Sequence, residues 1–279
     1  MRMWYKKGQQ LLNEIETTST NCDEIAIWYI GQCGFVIKNK VIIYIDPVLN
    51  DINGDNGESI RKYEVPFEPE EAYADYVLIT HEHIDHMAEN TVKGMFKKNN
   101  LIKFIIPGLC KEIIKSWDIP EENIIEMKTN TEKILEGFSV KGISTAHPNH
   151  KCNSLGQEYS LAYYICINDV HILHLGDTLI TDRLMKELNY AGHPDIFMVP
   201  INGSDYFKTK NQIIGNLSYD EAVSLSSELK ADLTIPMHFD MIEGNTVNPM
   251  YFFNEFMERF PNGKFKIPAL GERIIYKSR

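Results

Sequence analysis

The segment Thr80-His81-Glu82-His83-Ile84-Asp85-His86 decides how this sequence is interpreted. It begins at the end of the β-branched and aromatic run 76–80, which predicts a strand. Extended geometry would place His81, His83 and Asp85 on one side of the backbone, and a turn after them would bring His86 to the same cavity. Neutral imidazole and carboxylate are ligands of zinc, manganese and iron. The pattern H-x-H-x-D-H therefore predicts a metal site.

A solvated, charged turn is the alternative interpretation of this segment. Three imidazoles held close together without a metal would repel each other as the pH fell through their ordinary pKa of about 6.5. Metal-competent residues also follow three other predicted strands, at His147 after 140–146, Asp177 after 170–175 and His238 after 233–237. Four strand ends with the same chemistry favour the metal site over the solvated turn.

The rest of the chain alternates between short hairpin strands and strand–helix units. This alternation predicts two sheets with helices outside them. The predicted strands are 25–30, 35–38, 41–45, 76–80, 102–106, 138–144, 161–167, 170–175, 196–200 and 233–236, and the predicted helices are 89–98, 109–117, 181–190, 218–230 and 249–260. The sequence has neither a flexible linker nor a repeat, which predicts a single domain over 1–279. An amphipathic N-terminal helix over 3–16 and a long loop over 50–71 near the site complete the prediction.

Composition excludes several classes of protein. The 279 residues carry 28 basic and 39 acidic side chains, a net charge of −11, which argues against a surface that follows nucleic-acid phosphates. No apolar run reaches the ~18 to 20 residues of a membrane span, and the first ten residues do not resemble a secretory signal. The five cysteines are an odd number without a C-x-x-C pair, which favours free thiols in a reducing cytoplasm. We expect a cytoplasmic protein that binds neither nucleic acid nor membranes.

The order H-x-H-x-D-H, strand-end His, Gly-Asp-Thr and late His resembles the metallo-β-lactamase superfamily. That resemblance covers nearly the whole chain and implies a four-layer αββα sandwich, in which two mixed sheets have helices on their outer faces. Within the superfamily, five segments are similar to the L-ascorbate-6-phosphate lactonase family, namely 30–35, 44–47, 200–203, 214–218 and 235–241 with 244–246.

The resemblance implies a complete ligand set for two divalent cations, Mn²⁺ or Zn²⁺. The first metal would be bound by His81, His83 and His147, the second by Asp85, His86 and His238, and Asp177 would bridge them. Asp46 resembles the aspartate that orients a ligand histidine, although a turn-forming role before Pro47 is an alternative. His174 would support the site or be an ordinary buried strand histidine, and His150 and Cys152 are alternative ligands near His147.

The resemblance also implies a hydrolase that uses a metal-bridging hydroxide on a small anionic lactone, ester or phosphoester. Asp85 would carry the proton to the leaving oxygen, and Asn202, Lys208, Lys210 and Asn216 would face the substrate. Arg61 and Arg183 are further candidates for anion binding, with a solvated surface as their alternative role. Family members often form oligomers, so a homo-oligomer is also implied.

Two other functions remain open at the level of sequence. A nuclease or phosphodiesterase of the same superfamily would need a basic arm that grips RNA, and the sequence contains no such insertion or charge run. A non-enzymatic metal-binding protein would retain the scaffold without the activity.

Overall fold

The chain forms two mixed β-sheets with helices, and the computed structural model describes residues 2–54 and 57–278. Strands and α-helices follow each other in the order β1 (Glu24–Gly31), β2 (Gly34–Lys38), β3 (Ile42–Ile45), β4 (Tyr76–Leu78), β5 (Lys103–Pro107), β6 (Ile124–Met127), β7 (Glu132–Leu135), β8 (Phe138–Ser144), β9 (Leu161–Ile167), β10 (Val170–His174), β11 (Ile196–Pro200), β12 (Leu233–Met237) and β13 (Arg273–Lys277), with helices α1 (Gly8–Thr17), α2 (Glu89–Lys98), α3 (Cys110–Ser116), α4 (Asp182–Ala191), α5 (Tyr206–Lys210), α6 (Tyr219–Glu228) and α7 (Pro249–Arg259). These elements fall into two compact units, one of Met1–Met127 with Pro268–Arg279 and one of Lys128–Ile267.

The first unit is built on a seven-stranded sheet in the order β13-β1-β2-β3-β4-β5-β6. The strands from β13 to β3 pair antiparallel, and those from β3 to β6 pair parallel. Tight hairpins join the antiparallel strands β1, β2 and β3, and helices α2 and α3 cross between the parallel strands β4, β5 and β6. The core of this unit contains completely buried aromatic side chains such as Trp28, Tyr44 and Phe104.

The second unit is built on a six-stranded sheet in the order β12-β11-β10-β9-β8-β7. Its strands from β10 to β12 are parallel, with α4 and α6 in the crossovers, and the remaining pairs are antiparallel. Helix α6 begins at a capping box, in which Ser218 and Glu221 satisfy each other's backbone amides. The ends of the parallel strands bring Asp177 and His238 to one edge of this sheet.

The prediction of two mixed sheets with helices is confirmed, and every predicted strand and helix is present within a few residues of its expected bounds. The sequence analysis missed β6, β7, β13 and α5. Strand β7 is mostly exposed, and β13 shows a mixed burial pattern, so neither carries the apolar run that marks a buried strand. The single-domain prediction over 1–279 stays a prediction.

The N-terminal helix begins later than predicted, at Gly8 instead of residue 3. Lys7 is extended and Gly8, the first residue of the helix, has a positive φ of 58°, so the helix cannot continue from Gly8 back toward residue 3. Trp4 forms a parallel bridge with Leu270, and the Tyr5 amide donates to the Leu270 carbonyl. Trp4, the apolar residue that suggested an earlier start, therefore pairs with Leu270 of the same unit and does not belong to the helix.

The predicted loop 50–71 is partly structured. Asn53 and Ser59 form an antiparallel bridge, and residues Pro69–Glu71 form a short 3-10 helix, while residues 55 and 56 of this loop lie outside the described residues. A second 3-10 helix covers Glu121–Asn123. Among residues 2–54 and 57–278, no helix combines the length and the apolarity that crossing a bilayer requires.

Candidate metal centre

The first group of candidate ligands lies in the turn after β4. His81 and His86 are buried, and the His86 and Met87 amides donate to the His83 carbonyl, which closes the turn. His81 Nε2 lies 3.0 Å from His83 Nδ1, and His86 Nε2 lies 3.7 Å from Asp85 Oδ2. The ring centroids of His81 and His86 are 4.1 Å apart. Within the first unit, the structure therefore brings together the four side chains predicted from H-x-H-x-D-H.

Asp46 supports this group from the turn after β3. Its Oδ1 accepts from the Thr80 amide at 2.8 Å, and its Oδ2 accepts from the Thr80 hydroxyl at 2.6 Å. Asp46 Oδ2 also lies 2.8 Å from His86 Nδ1, and both side chains are completely buried. An imidazole whose Nδ1–H is held by a carboxylate presents Nε2 as the ligand atom. This geometry is what an orienting role of Asp46 requires, and the role itself stays a prediction.

The second group of candidate ligands lies in the second unit. His147 follows β8, Asp177 follows β10 in a Gly-Asp-Thr turn, and His238 follows β12. Asp177 Oδ2 lies 3.1 Å from His238 Nε2 and 3.6 Å from His147 Nε2. All three residues are at least nine-tenths buried. His238 has a positive φ of 55°, an uncommon conformation that indicates a tightly constrained turn.

The spacing of these atoms fits metal ligation. Two ligand atoms at about 2.1 Å from a tetrahedral cation lie about 3.4 Å from each other. The nitrogen–nitrogen and nitrogen–oxygen separations within each group range from 3.0 to 3.7 Å. Imidazole with carboxylate is a donor set that suits both zinc and manganese. The chemistry and the spacing of the residues therefore fit a divalent metal.

The structure places His174 and the alternative ligands in three different environments. His174 is completely buried at the end of β10. His150 Nδ1 lies 3.0 Å from the Ser144 hydroxyl oxygen, and His150 Nε2 lies 2.7 Å from the Thr181 hydroxyl oxygen. Burial, with the Arg183 charge second, lowers the pKa of His150. Both ring nitrogens of His150 are hydrogen-bonded, and Cys152 is exposed, which leaves His147 as the better ligand of this loop.

Three of the four predicted substrate residues form one buried network in the second unit. Asn216 Nδ2 donates to Asn202 Oδ1 at 3.0 Å, and Asn202 Nδ2 donates to Asn245 Oδ1 at 3.0 Å. The Lys208 ammonium donates to the carbonyls of Asn202 and Gly203, and burial lowers its pKa. Lys210, by contrast, is exposed. Sequence reasoning missed Asn245, although the similar segment 244–246 contains it.

The two arginines proposed for anion binding are occupied within the protein. The buried Arg61 guanidinium donates to the carbonyls of Val48, Asn50 and Tyr63, at 2.9, 3.1 and 2.9 Å. Arg183 Nε lies 2.9 Å from a Glu187 oxygen, and its Nη2 lies 3.3 Å from a Glu158 oxygen. Arg61 therefore fixes the start of the long loop, and Arg183 belongs to a polar cluster with two carboxylates.

Sequence reasoning also missed two residues of the first unit that lie next to the ligand group. Gln32 Nε2 donates to Asp85 Oδ2 at 2.7 Å. The sulfur of the buried Cys33 lies within 4.8 Å of a ring nitrogen of His86. The signal that could have found them is the pair of glycines around them, Gly31 and Gly34, since glycine in a strand often marks a bulge or a place that a ligand approaches closely.

Comparisons with known proteins agree with this fold. The family model for the beta-lactamase superfamily domain matches residues 26–238. A UPF0173 protein of Pyrococcus abyssi is 29% identical over 228 residues, which are 79% of this chain and 85% of that protein. A UPF0173 metal-dependent hydrolase of Archaeoglobus fulgidus is 24% identical, over 77% of this chain and 83% of that protein. A probable L-ascorbate-6-phosphate lactonase of Salmonella choleraesuis is 20% identical, over 63% of this chain and 51% of that protein.

Solved structures show the same fold. An isothiocyanate hydrolase from Delia radicum gut bacteria matches with a TM-score of 0.73 and 16% identity, over 91% of this chain and all of that one. CmlA, a diiron β-hydroxylase from Streptomyces venezuelae, matches with a TM-score of 0.67 and 13% identity, over 93% of this chain and 55% of that one. Proteins with different reactions thus share this scaffold, and the structural likeness describes the fold alone.

The fold and the extent of the family match define the class of this protein. The chain belongs to the β-lactamase superfamily, as the sequence analysis predicted. The predicted type of enzyme, a metal-dependent hydrolase, is confirmed at that level, since sequence relatives along most of the chain carry this name.

Proposed function

We propose that this chain hydrolyses a small anionic lactone, ester or phosphoester with the help of two divalent cations, Mn²⁺ or Zn²⁺. The observation that carries the proposal is the group of two buried histidines, His81 and His86, with two partly buried side chains, His83 and Asp85. Asp46 holds His86 of this group through a hydrogen bond. A purely structural cluster would not need three imidazoles in one turn. The lactonase among the relatives supports L-ascorbate 6-phosphate lactone as the first substrate to test.

We propose the ligand assignment that the family resemblance implies. The first cation would be held by His81, His83 and His147. The second would be held by Asp85, His86 and His238, and Asp177 would be a ligand of both. The separations from Asp177 Oδ2 to His147 Nε2 and His238 Nε2 support the bridging role, because one carboxylate approaches both imidazoles. When bound, the cation pair supplies a nucleophile at neutral pH and electrostatic stabilisation of the developing oxyanion.

The residues of the chain would then orient the substrate and move one proton. Asp46 accepts from His86 Nδ1 and holds that ring in place. Asp85, whose side chain keeps 18% of its exposure, carries the proton to the leaving oxygen. Proton transfer by a positioned carboxyl group contributes about 10²- to 10⁴-fold to a rate.

The polar network of the second unit supports recognition of an anionic, sugar-like substrate. Asn216 is buried, and its Oδ1 has no hydrogen-bond partner among residues 2–54 and 57–278. A buried acceptor of this kind costs free energy unless a ligand satisfies it. Lys208 supports the loop through backbone carbonyls, so Lys210 is the member of the predicted set that is available to attract the anion. The net charge of −11 supports a small substrate over a nucleic acid.

The proposal is tested by metal loading and a panel of substrates. The protein is stripped of metal, reloaded with Mn²⁺ or Zn²⁺, and assayed on ascorbate 6-phosphate lactone, homoserine lactones, a chromogenic phosphodiester and a short RNA. We expect two metals per chain and turnover of a lactone that a chelator abolishes. Asp177→Asn should lower kcat by at least about 100-fold and reduce metal uptake.

His171→Gln is the matched control, because it removes a partly exposed imidazole of the second unit that lies 3.5 Å from Asp195 Oδ2. This variant should keep both metals and the wild-type rate. Cleavage of RNA alone would replace the proposal with a nuclease, and two bound metals without turnover of any substrate would favour a non-enzymatic metal-binding protein.

A further inference from the structure

Gln32 is a buried amide that the proposed chemistry leaves without a role. It lies in the hairpin between β1 and β2 and is only 1% exposed. Its Nε2 donates to Asp85 Oδ2 at 2.7 Å, across 53 positions of sequence. Buried amides are normally hydrogen-bonded, and this one is bonded to the carboxylate that we propose as both metal ligand and proton carrier.

The backbone of the hairpin directs the Gln32 side chain toward Asp85, and Gln32 adopts an unfavourable backbone conformation to do so. Gln32 has a φ of 56°, in the left-handed region that L residues other than glycine and asparagine rarely adopt. The pairing of β1 with β2 shifts register between Tyr29 and Gly31, as in a β-bulge. Bulges of this kind re-aim side chains and are common beside active sites, and backbone strain persists where the surroundings enforce it.

Two tyrosines, Tyr29 and Tyr63, hold the hairpin that carries Gln32 in place. The Tyr29 hydroxyl donates to the Gln32 carbonyl at 3.2 Å. A Cβ atom at Gly31 would lie 2.2 Å from the Tyr63 hydroxyl oxygen, and Gly31 itself has a φ of 93°. Any other residue at position 31 would displace Tyr63 or the turn. The Gln32 amide is therefore presented to Asp85 by a rigid support.

The length and the neutrality of glutamine both suit this contact. An asparagine would tolerate the left-handed backbone better but would end one methylene short of Asp85. A lysine or arginine would reach Asp85 as a cation and compete with a metal for its carboxylate. A neutral amide orients the carboxylate and leaves its negative charge available for a metal.

We propose that Gln32 is a positioning residue, which fixes the rotation of the Asp85 carboxylate so that this group binds the second metal in one orientation. This inference rests on the proposed metal centre. Hydrogen-bond partners of metal ligands typically affect metal affinity by about 10- to 100-fold. Gln32 should therefore tighten the binding of the metal that Asp85 holds, and only of that metal.

The test is a double-mutant cycle on metal affinity. Wild type, Gln32→Met, Asp85→Ala and the double variant are stripped of metal and titrated with Zn²⁺ and with Mn²⁺ against a chromophoric chelator. Methionine matches the length of glutamine but has no donor. We expect Gln32→Met to weaken one of the two sites by about 10-fold or more, and to have no further effect in the Asp85→Ala background.

Two further variants separate the hydrogen bond from the backbone and from folding. Gln32→Asn keeps an amide and suits the left-handed conformation, so it should melt near the wild-type temperature without metal and still lose affinity for the same metal. Gln212→Met removes another glutamine of positive φ, 59°, from an exposed position, and should leave both affinities unchanged.

The outcomes distinguish this inference from the proposal on which it rests. A wild-type protein that binds no cation would overturn the metal centre and the role of Gln32 together. The role of Gln32 alone would be overturned if Gln32→Met bound two metals with unchanged affinity. It would also be overturned if the substitution lowered the affinity equally with and without Asp85. A lower kcat with unchanged metal affinity would likewise contradict positioning for metal binding.

Discussion

At the scale of single residues, the most constrained contact is the one between Asp46 and its neighbours. Its two oxygens accept from the Thr80 amide, the Thr80 hydroxyl and the His86 ring, and its own φ is 42°. Every one of these groups is buried. Because Asp46 bonds to Thr80 and to His86 at once, its carboxylate ties the end of β4 to the turn that holds the histidines.

Asp46→Ala should therefore destabilise the metal-free protein. The substitution leaves the Thr80 amide and hydroxyl buried without their acceptor, and each unsatisfied group costs about 1–3 kcal/mol. We expect the free energy of unfolding to fall by about 3 kcal/mol in urea. Asp51→Ala, which removes an exposed carboxylate, is the control and should change it by less than about 0.5 kcal/mol. A change at Asp46 as small as that of the control would show that the network contributes nothing to folding.

His150 makes stability depend on pH. Its pKa in the folded state lies below the ordinary 6.5, because burial first and Arg183 second disfavour the charged imidazole, against Glu187 and Glu158. The unfolded chain therefore takes up this proton first as the pH falls below about 6.5. The contribution of the neutral His150 is fully present above that pH and is lost as the pH falls toward the folded pKa.

His150→Gln should reduce this loss. Glutamine can hydrogen-bond to Ser144 or Thr181 but does not titrate in this range. We expect the melting temperature of the metal-free variant to decrease less between pH 7.5 and 5.5 than that of the wild type. Melting curves at four pH values measure the difference, and equal slopes for the two proteins would contradict the prediction.

At the scale of elements, the chain uses buried cations to hold its long connections. Arg61 bonds to three backbone carbonyls of the segment after β3. Lys208 bonds to two backbone carbonyls of the connection between β11 and α6. Buried cations that bond to carbonyls fix loops more strongly than neutral donors do. These contacts help to order the described parts of the two connections, including residues 50–54 and 57–63 of the long loop.

Arg61→Met should loosen the segment that precedes β4. Methionine retains most of the aliphatic volume but loses the three donors. Amide hydrogens in 48–54 and 57–63 should exchange at least about tenfold faster, as measured by mass spectrometry, while those of β1 and β2 keep their rates. Lys62→Met changes an exposed neighbour and should leave the exchange unchanged. If the amide hydrogens of this segment exchanged at the same rate in Arg61→Met as in the wild type, contacts other than those of Arg61 would hold the segment in place.

The elements also show how much of the structure the sequence could predict. Strands such as β1 and β8 were found because their apolar residues are continuous or alternate. Helix α6 also carries a local signal, since Ser218 and Glu221 form a capping box at its start. The four metal-competent strand ends were found because H-x-H-x-D-H is a local pattern. The contacts of Gln32, Asn245 and Arg61 join residues that are far apart in sequence or depend on the direction of a single side chain, and no local pattern encodes them.

Family membership is confirmed for the molecule as a whole, whereas several predictions about its behaviour stay predictions. The cytoplasmic location, the absence of nucleic-acid and membrane partners, and a homo-oligomer all follow from composition or resemblance. Sedimentation of the metal-loaded protein would measure the last of these directly. The net charge of −11 should keep the protein dispersed at neutral pH.

Strand β13 pairs with β1 and covers one of its two hydrogen-bonding edges. Strand β13 pairs with β1 from Glu24 to Trp28, so that a run of apolar residues lies inside the sheet. Deleting residues 273–279 would leave that run as a bare edge whose amides and carbonyls can capture another chain. The shortened protein should precipitate or form β-rich aggregates on expression, visible by light scattering and thioflavin fluorescence. A fusion partner should therefore be attached beyond this strand and never in place of it.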